Sequence, residues 1–233
     1  MTEPLDLERV IAPNPGPMTL EGTNTWVVGR DPAWVIDPGP ADRGHLEAVR
    51  EAAAARGGIG GVVLTHSHAD HAAGAELLEP PPSPARDGEP VGPFVALFTP
   101  GHAPDHFAFL LGRACFCGDL VLGEGSSIVP PDGGSMSAYL DSLRRLQALD
   151  LELLLPGHGP PIDDPAAKLE QYIEHRLERE RKLLAAIERG VRDRAELLAA
   201  AWDDVPEPLR RYAEIAMQAH LDKLAEEGLW SEP

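Results

Sequence analysis

The chain has 233 residues, with 38 Asp and Glu against 20 Lys and Arg, a net charge of -18 and 43% hydrophobic residues. That is enough apolar material for one large domain, or one medium and one small, and the acidity works against long-range attraction of a polyanion. No hydrophobic run approaches the ~20 residues of a membrane span, the opening MTEPLDLERV lacks the basic and apolar parts of a secretory signal, and Cys115 and Cys117 are too few and too close for a disulfide framework, so a reducing, cytoplasmic setting is expected.

In chain order, Asn24 to Gly29 reads as a short strand ending in a turn, and Ala33 to Ile36 as a second strand closed by Asp37-Pro38-Gly39. His45 to Arg56 is Ala-rich with helical spacing and stops at Gly57-Gly58. Gly61 to Leu64 is a continuous apolar run, suited to a buried strand. The segment LTHSHADH begins there and places His66, His68, Asp70 and His71 on a loop at a sheet edge, where a rigid scaffold can hold polar side chains.

The Pro-rich stretch from Glu79 to Pro84 excludes a regular helix or a central strand. Phe94 to Phe98 resumes as a strand and leads to His102. Phe107 to Leu111 and Ala114 to Cys117 form a strand pair turning at Gly112-Arg113 and lead to Asp119. Ser137 to Leu149 has helical spacing at Tyr139, Leu140, Leu143 and Leu146, and the strand Leu151 to Leu155 leads to His158. Asp164-Pro165 then caps and starts a long helix that runs to about Arg189 and stops at Gly190. Shorter helices follow near Arg194 to Trp202 and Pro208 to Glu227, with Gly228-Leu229-Trp230 as a short tail. Residues 1–162 are thus expected to form one domain, and residues 163–233 a small helical, winged-helix-like one packed against it.

Four strand ends carry His66, His68, Asp70, His71, His102, Asp119 and His158. A lone histidine is ordinarily a surface or core residue, but imidazole and carboxylate at seven converging positions are donors for borderline divalent metals. Seven exceed the needs of one tetrahedral ion and suit two. Two adjacent ions can acidify a shared water and steady both the attacking and the leaving atom of a hydrolysis. His66 and His68 alternate, so an extended loop turns both to one side, while Asp70 and His71 diverge toward a second position. Asp105 and His106 are candidate substrate contacts or loop-fixing residues. Asp37 either orients a histidine or closes its turn. Tyr139 is a candidate donor to substrate, although its helical spacing favours the core. The arginines from Arg176 to Arg194 interleave with glutamates and read as a solvated, ion-paired face rather than a nucleic-acid stripe.

The cluster His-x-His-x-Asp-His, followed by a His, an Asp and a His, resembles the metallo-beta-lactamase superfamily over about residues 20 to 162. GTNTWVVG at Gly22, IDPG at Ile36, TPGHAPDH at Thr99, Tyr139-x-x-Ser142-Leu143 and PGHGPPI at Pro156 resemble its beta-lactamase-like protein 2 group, which carries a C-terminal winged-helix-like module. The resemblance implies an α/β fold, an αββα sandwich with a small C-terminal helical domain. It implies two Zn2+ ions, with Mn2+ or Fe2+ as alternatives: His66, His68 and His102 at the first, Asp70, His71 and His158 at the second, and Asp119 bridging. Asp70 and Asp119 are then the catalytic residues. The implied activity is a phosphodiesterase or endoribonuclease on single-stranded RNA. The alternatives are a thioester hydrolase of the hydroxyacylglutathione hydrolase type and a catalytically lapsed metal-binding regulator. Substrate RNA or a small thioester or ester, no membrane, and a homodimer are the expected partners. His71 and His102 lie 31 positions apart, roughly half the interval in relatives, with the Pro-rich stretch as the splice.

Overall fold

The computed structural model describes residues 5–231. Two sheets form its centre. The first contains β1 (Leu7–Ile11), β2 (Asn24–Val28), β3 (Ala33–Ile36) and β4 (Ile59–Val63), in that order. The second contains β5 (Pro90–Val91), β6 (Phe94–Phe98), β7 (Phe107–Leu111), β8 (Ala114–Gly118) and β9 (Leu153–Pro156), also in chain order. Neighbours are antiparallel except β3 with β4 and β8 with β9, each of which is parallel. Those two pairs need crossovers. The first is α1 (Arg43–Ala54), whose first turn is capped by Asp42 accepting from the His45 backbone N–H at 2.8 Å. The second contains α3 (Met136–Gln147), capped in the same way by Ser135.

Alternation along β2 shows how the layers are built. Trp26 and Val28 face the second sheet, where they join Ile36, Val63, Phe94, Phe109, Phe116 and Leu155 in one buried cluster. Val27 points the other way, into a cluster with Val35, Val62 and the α1 residues Leu46 and Val49. The period of two thus sends neighbouring side chains into different layers. The outer face of the second sheet packs Ala108, Cys115 and Leu154 against Tyr139, Leu140 and Leu143 of α3. The result is a mixed α/β fold of two sheets with helices on both outer faces.

The last third is α4 (Pro165–Glu188), α5 (Arg194–Ala201) and α6 (Arg210–Glu226). Pro165 occupies the first turn of α4, with Asp164 accepting from the Ala167 N–H. At 24 residues, α4 reaches across two cores. Leu169, Tyr172 and Ile173 at its start complete the α3 cluster, while Leu183, Ala186 and Ile187 at its end pack with Leu198, Trp202, Met217 and Trp230. Among the described residues no strand follows β9. The tail is therefore all helical where a winged-helix-like module was expected, because the three residues Gly228-Leu229-Trp230 are too short to form a paired wing. Two elements escaped the pattern reading: the edge strand β1, whose residues are mostly half-buried, and the two-residue β5.

Candidate metal centre

The parallel pairs meet at their C-terminal ends, and the donors emerge there. Past β4, Thr65 is tied to Asp37 at the end of β3: its backbone N–H donates to Asp37 Oδ1 and its hydroxyl to Oδ2, both at 2.7 Å. Asp37 takes a left-handed φ of 51°, a conformation to which aspartate is better suited than most residues. Asp70 and His71 lie not on a loop, as expected, but on a single helical turn, α2 (Ala69–Ala72), which turns both toward the neighbouring strand ends. Asp119 and His158 follow β8 and β9. Gly157 allows those chains to close up, since a Cβ there would lie 2.4 Å from Asp119 Oδ1 and 2.6 Å from His71 Cε1.

Each of four histidines spends one ring nitrogen away from the centre. His102 Nδ1 donates to the Ile128 carbonyl at 2.7 Å and His158 Nδ1 to the Gly22 carbonyl at 3.2 Å. His71 Nδ1 donates to Asp37 Oδ2 at 2.9 Å. The Thr65 hydroxyl, already donating to Asp37, accepts from His66 Nδ1 at 2.9 Å. Carbonyls and carboxylates only accept, so these contacts place the proton on Nδ1 and leave each Nε2 lone pair facing inward. Outer partners of this kind orient metal-binding imidazoles.

The inward atoms form two groups. His66 Nε2 and His102 Nε2 lie 2.9 and 3.1 Å from His68 Nδ1. His71 Nε2 and His158 Nε2 are 3.3 Å apart, and Asp70 Oδ2 is 3.5 and 3.3 Å from them. Tetrahedral bonds of about 2.0–2.1 Å set ligand atoms roughly 3.3–3.4 Å apart, close to this spacing. Asp119 stands between the groups, its Oδ2 3.4 Å from His158 Nε2 and 3.7 Å from His102 Nε2, and its Oδ1 3.5 Å from His71 Nε2. Oδ1 is buried with no hydrogen-bond partner among the described residues. Facing lone pairs and an unpartnered buried carboxylate oxygen call for a cation. The donors therefore fit a pair of divalent ions: the triads His66, His68, His102 and Asp70, His71, His158 each converge, and Asp119 converges with His66 and His71.

The electrostatics agree. Burial opposes charge on His66 and His102 and lowers both. Burial also opposes ionisation of Asp119, yet His71 and His158 outweigh it and hold that carboxyl well below the usual range. In return, and again against burial, Asp119 draws His158 up to about 9 and, with Asp37, raises His71 well above its ordinary value, so that a proton competes with a metal ion for those two Nε2 lone pairs. The centre attracts positive charge.

All seven expected donors come together, and the tentative substrate contacts do not join them. Tyr139 is 0% exposed and donates to the Leu120 carbonyl at 2.7 Å, so helix α3 spends it on the core and it cannot reach a substrate. His106 is also 0% exposed. It lies behind His66, with ring centroids 5.2 Å apart and Nδ1 bonded to Thr99 Oγ1. Burial pushes its pKa down to about 3, which leaves it a neutral support for the His66 ring. Asp105 is exposed on the loop beside it. Asp37, left open between two roles, orients His71. Thr65, Ser127 and the carbonyls of Gly22 and Ile128 had no signal in the sequence. Carbonyls carry none, and a threonine beside a histidine is commonplace.

A scaffold of two facing sheets with clustered imidazoles and carboxylates at their strand ends defines an α/β metallohydrolase architecture. The family model for the metallo-beta-lactamase superfamily matches residues 18–84 and 81–158, and the chain belongs to that superfamily, whose members are usually hydrolytic metalloenzymes. The two matches overlap at residues 81–84, within the Pro-rich stretch. The chain is similar to the beta-lactamase-like protein 2 homolog of Caenorhabditis elegans, 31% identical over 97% of this chain and 86% of that one. It is also similar to the atrochrysone carboxyl ACP thioesterase of Aspergillus fumigatus, 33% identical over 85% of this chain and 74% of that one. Among solved structures, a metallo-beta-lactamase family protein from Thermus thermophilus superposes with a TM-score of 0.75 at 25% identity, covering 95% of this chain and 94% of that one. A second protein, solved in a di-iron-bound form, gives a TM-score of 0.54 at 28% identity over 68% of this chain and 96% of that one.

Proposed function

We propose that the protein is a two-metal hydrolase acting on thioesters. The observation that carries the hydrolase reading is the seven-donor centre, with Asp119 standing between two convergent triads. His66, His68 and His102 would hold one ion and Asp70, His71 and His158 the other, with zinc the ion this nitrogen and oxygen donor set suits. When bound, two such ions acidify water and polarise the oxygen of the scissile group. Asp119 would neutralise charge between them. Asp70, with its side chain 32% exposed, is the most open carboxylate of the centre; it would orient the attacking water and take its proton at Oδ1, the oxygen not turned toward His71 and His158.

Charge favours a thioester over RNA. At a net charge of -18 the molecule repels a polyanion. The arginines of α4 are largely committed inside the chain, Arg179 to Asp204 at 2.7 Å and Arg181 to Glu178 at 2.7 Å. The Aspergillus fumigatus relative is an atrochrysone carboxyl ACP thioesterase, which points the same way. The test is side-by-side turnover by the metal-reconstituted full chain of acyl thioesters, read by thiol release, and of labelled single-stranded RNA. Thiol release that disappears with chelation and returns with zinc is the expected result. RNA cleavage outpacing thioester cleavage would reverse the assignment.

A further inference from the structure

A pocket of about 250 Å³ lies where the helical tail meets the sandwich. Met18 and Leu20 line it from the sandwich side, and Trp202, Val205 and Tyr212 from the tail. Ser127 and Ile128, in its wall, are bonded to the metal centre: the Ile128 carbonyl accepts from His102 Nδ1, and Ser127 Oγ donates to the Asp119 carbonyl. Only one segment of chain therefore separates the pocket from two candidate ligands.

One wall is charged. Arg176 lines the pocket, yet it is only 2% exposed. Its Nη2 donates to Ser126 Oγ at 2.7 Å and to the Ser127 carbonyl, and its guanidinium lies over the Tyr139 ring. Its Nε is buried with no partner, and among the described residues no carboxylate pairs with it. The neighbouring Arg179, by contrast, is paired with Asp204. A buried cation without a counter-ion is costly; Glu124 also lines the pocket but does not pair with Arg176, and a largely apolar pocket with a few convergent polar groups is how small-ligand sites are built.

We infer that this pocket binds an aliphatic carboxylate, its chain against Met18, Leu20 and Trp202 and its oxygen anion at Arg176; on the thioester reading above, that ligand is the acid released by hydrolysis.

Calorimetric titration of the metal-loaded full chain with octanoate and with its neutral isostere octanamide tests this without turnover. Octanoate should bind at least about tenfold more tightly and shift the tryptophan emission. Arg176→Gln, which removes the charge and shortens the side chain away from Ser126 and Ser127, should bring the two affinities together when both proteins are compared at equal metal loading. Trp202→Phe keeps Arg176 and carries the test where the glutamine variant does not fold: octanoate should still bind, but the emission shift should vanish. Equal affinities in the unaltered chain would overturn the inference, as would a preference that survives Arg176→Gln or a shift that survives Trp202→Phe. Octanoate binding of the expected kind beside intact octanoyl thioesters would support the pocket and count against the thioester assignment alone.

Discussion

Asp119 and Asp37 show how much of the centre rests on single carboxylates with different duties. Asp119 faces both donor groups with Oδ1 unpartnered. Asparagine there keeps the shape, removes the negative charge and offers only a neutral carbonyl oxygen. Asp119→Asn is expected to melt near the parent temperature, retain less than two metals per chain by elemental analysis and lose most hydrolysis. Two metals with unchanged turnover would reduce Asp119 to the residue that closes the turn after β8. Asp37 touches no candidate metal position. It holds the Thr65 N–H, the Thr65 hydroxyl and His71 Nδ1. Asp37→Asn leaves only one accepting oxygen for these three donors, so His71 loses its orientation. Metal affinity should fall about 10–100-fold, read by competition with a chromogenic chelator. An unchanged affinity would show that α2 alone positions His71.

At the scale of elements, α4 is the member on which the others depend. Its Tyr172 accepts from the Leu122 N–H at 3.1 Å and donates to the Gly125 carbonyl at 3.1 Å, while Arg176 holds the Ser127 carbonyl. The helix thus braces the 122–128 segment that carries the Ile128 carbonyl behind His102. Further along the same helix, burial first, then Arg176 and Arg179, push the half-buried His175 down to about 4. In the unfolded chain the imidazole takes its proton near 6.5. Between those values the unfolded state holds more protons, so this residue's contribution is fully present above about pH 6.5 and is lost as pH falls toward 4. His175→Gln should therefore flatten part of the acid slope of the melting temperature over that window and leave it unchanged at pH 8. Parallel slopes in both proteins would place the acid sensitivity elsewhere.

At the scale of the whole molecule, the tail packs against the sandwich through a shared core. Leu169, Tyr172 and Ile173 of α4, with Ala219 of α6, sit in the same buried cluster as Leu140, Leu143 and Leu154. Ending the chain at residue 163 would uncover that cluster and release the brace on the 122–128 segment. The truncated chain is expected to bind metal more weakly and to unfold at lower denaturant than the full chain, read by elemental analysis and urea titration. A truncated chain that matches the parent in both would show an independent tail.

The donor set was legible in the linear chain because its signal is local: four donor residues in LTHSHADH, and His102, Asp119 and His158 each just past an apolar strand. Short apolar runs, turn residues, helical spacing and the Asp164-Pro165 cap likewise marked β2, β4, α1 and α4, since all of these are properties of neighbouring residues. The short edge strands β1 and β5 lack such a signal, and only their pairing with β2 and β6 makes them strands. What tertiary structure alone decided lies between residues far apart in sequence. Asp37 meets His71 across 34 positions. Gly22 reaches His158 across 136. Tyr139 goes to the core rather than the cleft, and Arg176, between sandwich and tail, pairs with no carboxylate among the described residues. A residue's type states which bonds it can make. Which partner comes within about 3 Å is set by the packing of sheets against each other and against helices, and no single stretch of sequence contains that information.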